Sequence, residues 1–82
     1  MKKTIYVSRV SVQTAAKLLG LSPLSVQGAL INKALPIGGA WKNPDSSCYT
    51  YHISPQQLGL YIGLTKEEVM DHQHEEDIEN NV

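Results

Sequence analysis

Signals for the start and the end of helices alternate with apolar positions along the first half of the chain. Ser11 is a good N-cap and Gly20 is a glycine stop. The apolar positions between them share one helical face: Val12, Ala15, Ala16 and Leu19. Ser22-Pro23 then predicts a second helix, which runs to about Lys33 and turns inward Val26, Ala29 and Leu30. Two short helices joined in this way outline a helix-turn-helix.

The second half changes to a β-branched and aromatic run. Cys48-Tyr49-Thr50-Tyr51-His52-Ile53 predicts a strand, and the turn-rich residues 43–47 before it predict the tip of a β-hairpin. Pro36 in the first arm favours a short, exposed hairpin. We expect the hairpin aromatics Trp41, Tyr49 and Tyr51 to cover the core between the hairpin and the helices. Thr4–Val7 predicts an additional edge strand.

Two further capping signals follow the hairpin. Ser54-Pro55-Gln56-Gln57 predicts a third helix that ends at Gly63, and Thr65-Lys66-Glu67-Glu68 predicts a fourth that begins at Lys66. The fourth segment has little to bury, so we expect it to fray beyond about Gln73. The chain then divides into a domain over residues 1–64 and an acidic helix and tail over residues 65–82.

Composition favours a binding module over an enzyme. The 82 residues are 41% apolar and include no Phe, so the core must be aliphatic, and so small a chain has little depth for a catalytic cleft. The single Cys48 cannot form an internal disulfide, and no apolar run approaches the ~20 residues of a membrane helix. We expect a cytoplasmic protein with no membrane contact, no cofactor, no catalytic residues and no metal site. His72 and His74 lie in an acidic stretch without the fixed geometry of a metal centre.

The net charge of −1 hides a strong asymmetry. Residues 1–66 contain all seven basic residues and only one acidic residue, Asp45, whereas residues 67–82 contain the other seven acidic residues. A basic body suggests a polyanion partner. The acidic tail either has a separate role or only keeps a small domain in solution.

The first two predicted helices carry a family resemblance. The residues Val10-Ser11-Val12-x-x-Ala15-Ala16-Lys17-Leu18-Leu19-Gly20-Leu21-Ser22-Pro23-x-x-Val26 resemble the DNA-binding domains of the MerR-like and phage excisionase group. The match continues through Leu35-Pro36, the hairpin and Tyr51-x-Ile53-Ser54-Pro55-x-x-Leu58. It is also similar to small proteins carried by phages and mobile elements of Gram-positive bacteria. The resemblance implies a mainly α fold with a small β-hairpin, a winged helix-turn-helix with three core helices and, here, an acidic C-terminal helix or tail.

The resemblance also implies a function and the residues that perform it. Double-stranded DNA would be the partner, with the second helix in the major groove and the hairpin as the wing. The base-facing residues would be Leu24, Ser25, Gln27, Gly28 and Ile31, and the phosphate-facing residues would be Gln13, Thr14, Lys17, Lys33, Lys42, Asn43 and Ser46. Gln27 is the best base reader, because its amide can bond an adenine edge twice. The role would be an excisionase-type recombination directionality factor or a small transcriptional regulator in a bacterial host cell.

Partners other than DNA stay open. One protomer with so few surplus charges would bind DNA weakly, which favours a dimer or a cooperative array. The acidic segment would contact another protomer, a recombinase or a polymerase, or fold back and weaken non-specific DNA binding. A different hypothesis starts from the apolar stripe formed by Leu24, Gly28 and Ile31. That stripe and the acidic tail also suit a phage-encoded protein-interaction module, such as an antirepressor or an inhibitor.

Overall fold

The computed structural model describes residues 9–80, which form a small, mostly helical α/β fold. Its helices are α1 (Val12–Leu19), α2 (Pro23–Ile31), α3 (Pro55–Ile62) and α4 (Lys66–Asn80). The strands β1 (Gly38–Lys42) and β2 (Tyr49–Ile53) form an antiparallel hairpin between α2 and α3. The predicted helices and hairpin are therefore confirmed as elements. The edge strand predicted over Thr4–Val7 lies outside the described residues.

Serine caps set the start of three helices, as the sequence predicts. The hydroxyls of Ser11, Ser22 and Ser54 each accept a hydrogen bond from the backbone N–H three residues later, at 3.1, 3.1 and 3.2 Å. α1 and α3 end at Gly20 and Gly63, whose φ angles of 73° and 82° are left-handed. Each serine cap satisfies a backbone donor that has no partner inside its helix, and the N–H of each glycine cap donates to a carbonyl oxygen of the last turn. These boundaries are therefore decided locally.

α2 ends earlier than the sequence predicts, at Ile31 instead of about Lys33. Lys33 has a φ of 57°, a left-handed conformation that costs a residue with a β-carbon roughly 1–2 kcal/mol. The turn is closed by the backbone N–H of Ala34, which donates to the carbonyl oxygen of Ala29 at 2.7 Å. The chain thereby reverses direction and leads into β1, against which α2 packs.

The register of the hairpin decides which side chains face the core. β1 and β2 pair from Gly38 opposite Ile53 to Lys42 opposite Tyr49. Because successive residues of a strand point to opposite faces, Ile53 is buried at 1% exposure and Trp41 lies on the other face, 52% exposed. The expectation of core coverage is therefore wrong for Trp41 and for Tyr49, which is also exposed, and is confirmed for Tyr51, which packs against the core.

The core is aliphatic, as the absence of Phe requires. Its buried apolar residues are Val10, Ala15, Ala16, Val26, Leu30, Ile37, Ile53, Leu58 and Val69. They come from all four helices, from β2 and from the segments before α1 and before β1. Val10 also extends the sheet locally, since its backbone N–H donates to the carbonyl oxygen of Ile53 at 3.2 Å.

α4 is longer and better anchored than the sequence predicts. A reciprocal capping box starts it, because the backbone N–H groups of Thr65 and Glu68 donate to each other's side-chain oxygens at 2.8 and 3.1 Å. Val69 then enters the core with 0% exposure. The predicted fraying beyond Gln73 is wrong, since the helix continues to Asn80 along α1. No helix within residues 9–80, α4 included, is both long enough and apolar enough to cross a bilayer.

Two glycine substitutions should have opposite effects on stability. A β-carbon at Gly59 would overlap the backbone carbonyl oxygen of Leu64, whereas a β-carbon at Gly28 would have no neighbour within 4 Å. Gly59→Ala should therefore lower the free energy of unfolding by about 1–3 kcal/mol. Gly28→Ala should raise it by about 0.5–1 kcal/mol, because alanine favours a helix interior. Urea denaturation of both variants checks this, and a stabilising Gly59→Ala would contradict the packing of α3 on the following loop.

A second pair of substitutions tests the anchoring of α4. Val69→Ala removes a fully buried side chain and should lower the free energy of unfolding by about 1.5–3 kcal/mol. Ile78→Ala changes a residue of the same helix that is 53% exposed and should cost less than about 0.5 kcal/mol. Equal denaturation midpoints for the two variants would mean that α4 is not part of the core.

Candidate nucleic-acid interface

The outward side of α2 is open. α2 buries Val26 and Leu30, and Leu24 and Ile31 on its other side are 79% and 37% exposed. The other residues expected to face bases are exposed or partly exposed: Ser25, Gln27 and Gly28. The structure thus brings all five of these residues onto one accessible side of the helix. That side carries no charged residue.

The polar groups on this side differ in their engagement. Ser25 accepts a hydrogen bond from the hydroxyl of Ser22 at 2.9 Å, which leaves its own hydroxyl hydrogen able to donate. The Gln27 amide makes no hydrogen bond to any other residue in the described part of the chain. It therefore keeps both a donor and an acceptor for a ligand, which a bidentate contact with a base edge requires.

Two of the three phosphate contacts expected at the hairpin remain accessible, and the third side chain is used inside the turn. Lys42 is exposed at the end of β1. The Asn43 side chain is used inside the hairpin, where it donates to the Cys48 carbonyl oxygen at 3.3 Å and accepts from the Thr50 hydroxyl at 3.0 Å. Ser46 is exposed and accepts from the Cys48 backbone N–H at 2.8 Å, so its hydroxyl hydrogen can still donate. Lys42 and Ser46 remain candidates, and Asn43 closes the turn instead.

The expected phosphate contacts on α1 are also divided. Gln13 is exposed, whereas Thr14 is only 2% exposed and its hydroxyl accepts a hydrogen bond from Ser11 at 3.1 Å. The buried position of Thr14 leaves it out of reach of an external phosphate. Lys17 lies on the surface, but its Nζ is 2.6 Å from a carboxylate oxygen of Glu76 on α4. The first helix therefore offers Gln13 directly, and Lys17 only beside an acidic group.

Lys33 lies away from the start of α2, at the opposite end of that helix. It is exposed, and its left-handed backbone directs the chain toward β1. α2 packs on both α1 and β1, so the helix and the hairpin are held as neighbours by the core beneath them. The structure thus gathers Ser25, Gln27 and Lys42 on neighbouring elements.

Sequence reasoning missed the residues by which α4 attaches to α1. The Gln73 side-chain oxygen accepts a hydrogen bond from the Ser11 backbone N–H at 2.7 Å, and Glu76 pairs with Lys17. A signal was present, because Val69, Gln73 and Glu76 recur at i, i+4 and i+7 of one helical face. Because Gln73 and Glu76 are polar, a search for apolar positions at helical spacing does not find this stripe.

No constellation for metal chemistry appears in the part of the chain that the structure describes. No group of three or more His, Cys, Asp and Glu side chains there could hold a metal ion. Cys48 is exposed in the hairpin loop before β2. The arrangement of the described surface is one of hydrogen-bonding and apolar groups on a helix and a hairpin, which suits binding.

Comparison with known proteins assigns no family to the chain. No protein-family model, no curated protein and no solved structure matches it. The placement of residues on α2, the hairpin, α1 and α4 is therefore the basis for a functional proposal.

Proposed function

We propose that this chain is a small double-stranded DNA-binding protein in which α1 and α2 form a helix-turn-helix and the β1–β2 hairpin is its wing. It would serve a phage or a mobile element as an excisionase-type recombination directionality factor or as a transcriptional regulator. One observation carries the proposal. α2 packs against β1 and leaves Leu24, Ser25 and Ile31 exposed on its other side, an arrangement that suits a recognition helix beside a wing.

The base contacts come from the first half of α2 in this proposal. A recognition helix enters the major groove with its N-terminal residues toward the base edges. Gln27 offers its unengaged amide to the N6 and N7 atoms of an adenine, and Ser25 donates to a base or a phosphate. Leu24 and Ile31, both exposed, contact thymine methyl groups.

The phosphate contacts come from the elements on either side of α2. Four exposed residues contact the DNA backbone in this proposal. They are Lys42 and Ser46 at the hairpin, Gln13 on α1 and Lys33 after α2. These few contacts make binding by one protomer weak and steeply dependent on salt. A second protomer, or several on neighbouring sites, would supply the remaining affinity.

A protein-interaction module is the second candidate, and one observation favours it. Leu24 is 79% exposed on a side of α2 that has no charged residue. An uncharged helix face with exposed apolar anchors is typical of a helix that binds a protein groove. In this alternative the chain is an antirepressor or an inhibitor, and its acidic helix imitates a phosphate backbone.

Charge reversal at the hairpin tests the DNA proposal. Lys42→Glu should weaken binding to a random-sequence duplex roughly tenfold at 50 mM salt and lower the salt slope by about one, since a phosphate contact is lost. Lys66→Glu is the matched control, because Lys66 is exposed at the start of α4, outside the proposed interface. Fluorescence anisotropy measures both. Equal losses of affinity in the two variants would mean that net charge alone causes the effect. A wild-type chain that binds no duplex at low salt would favour the protein-interaction module.

Loss of one amide should remove a sequence preference. In selection from a random duplex pool, Gln27→Ala should lose about 1–3 kcal/mol of discrimination at one adenine position, because the bidentate contact disappears. Gln56→Ala is the control, since Gln56 is exposed on α3. A Gln27→Ala motif identical to that of the wild type would exclude Gln27 as a base reader.

A further inference from the structure

α4 places two side-chain oxygens on donors at the two ends of α1. The Gln73 amide oxygen accepts from the backbone N–H of Ser11, the N-cap residue, at 2.7 Å. Glu76 accepts from the Nζ of Lys17, in the last turn of α1, at 2.6 Å. Gln73 and Glu76 are three residues apart and therefore lie on one side of α4. α4 thus contacts α1 through oxygen acceptors.

Both donors are of the kind that binds phosphate. Protein–DNA complexes hold phosphate oxygens with lysine side chains and with backbone N–H groups near helix starts. An amide oxygen on Ser11 and a carboxylate oxygen on Lys17 occupy the same hydrogen-bonding positions that phosphate oxygens would take. The chain therefore supplies both donors with internal acceptors, one neutral and one anionic.

We propose that α4 is an intramolecular competitor for the DNA backbone, in which Glu76 competes with a phosphate for Lys17. This inference rests on the proposed DNA-binding function. Of the roles expected for the acidic segment, this one is the role in which the segment folds back on the rest of the chain and weakens non-specific DNA binding. Non-specific DNA is then bound weakly, and a duplex that makes enough other contacts gains Lys17 as well.

The burial of the two charges makes this exchange possible. The Lys17 side chain is 63% exposed, so it can turn toward a phosphate, whereas the Glu76 side chain is 12% exposed and is held by its surroundings. Ion pairs with an exposed partner contribute little to stability, so the contact can be exchanged without unfolding α4. Lys17 and Glu76 line a small cavity between α1 and α4, and Glu75 and His72 line it as well. The carboxylate of Glu75 adds repulsion against an approaching phosphate.

Point variants test the competition better than removal of α4, because Val69 belongs to the core. Glu76→Gln keeps the shape of the side chain and removes its charge. Glu67→Gln is the matched control, since it makes the same charge change at an exposed position at the other end of α4. In anisotropy titrations on a random-sequence duplex at 50 mM salt, Glu76→Gln should bind about threefold to tenfold more tightly than Glu67→Gln. Its salt slope should be steeper by about 0.9, the contribution of one phosphate contact.

A double-mutant cycle assigns the gain to Lys17. Lys17→Gln should change affinity less than about twofold in the wild-type chain and should abolish the whole gain in the Glu76→Gln chain, because only there does Lys17 contact phosphate. Equal binding by Glu76→Gln and Glu67→Gln would overturn the competition and leave the DNA-binding function standing. An equal effect of Lys17→Gln on affinity in the wild-type and the Glu76→Gln chains would also overturn the competition and leave the DNA-binding function standing. The cycle contains the wild type, the two single variants and the double variant. If none of these four chains binds duplex at 50 mM salt while their circular dichroism is native, the proposed function itself is overturned, and the competition with it.

Discussion

The small aliphatic core is the constraint on which the rest of the structure depends. Each helix contributes only one or two buried side chains to it, such as Leu58 from α3 and Val69 from α4. No element of so small a domain has enough buried surface to hold its position alone. The angle of α2, the placement of the hairpin and the docking of α4 are therefore set together by one cluster of contacts.

The same constraint explains the character of the surface. The fully buried apolar side chains are all aliphatic, and two of the largest side chains lie outward: Trp41 and Tyr61 are each 52% exposed. α2 likewise has too little neighbouring structure to bury both of its sides, and Leu24 remains outside. Exposed apolar groups of this kind mark contact surfaces when they lie together on one element. On α2 they accompany Gln27, which gives that side both apolar and hydrogen-bonding chemistry.

The distribution of charge on the surface differs from the division of the sequence into a basic body and an acidic tail. Docking of Val69 in the core orients the next turns of α4, and that orientation brings Gln73 and Glu76 onto α1. Packing of α4 on the core thereby places an acidic residue beside Lys17. Charge segregated along the sequence becomes charge paired in space, and the proposed DNA-binding surface is smaller than the count of lysines implies.

Much of the fold could be predicted from local signals. Ser11, Ser22 and Ser54 start helices, and Gly20 and Gly63 end them, because capping depends on residues within one turn of each other. The hairpin followed from the same kind of local information. The candidate base-facing side of α2 was also predictable, since burial of Val26 and Leu30 at helical spacing leaves the opposite side outward.

Tertiary structure alone decided which of the candidate groups are available. The burial of Thr14 and the pairing of Lys17 with Glu76 depend on neighbours in space, and the Lys17–Glu76 pair spans 59 positions of sequence. The outward position of Trp41 and the extension of α4 past Gln73 have the same origin. Caps and periodicity act within a turn, so local signals were sufficient for the helix starts, the glycine stops and the buried face of α2. Contacts between elements form only when the core assembles, and these contacts selected the residues that a ligand can reach.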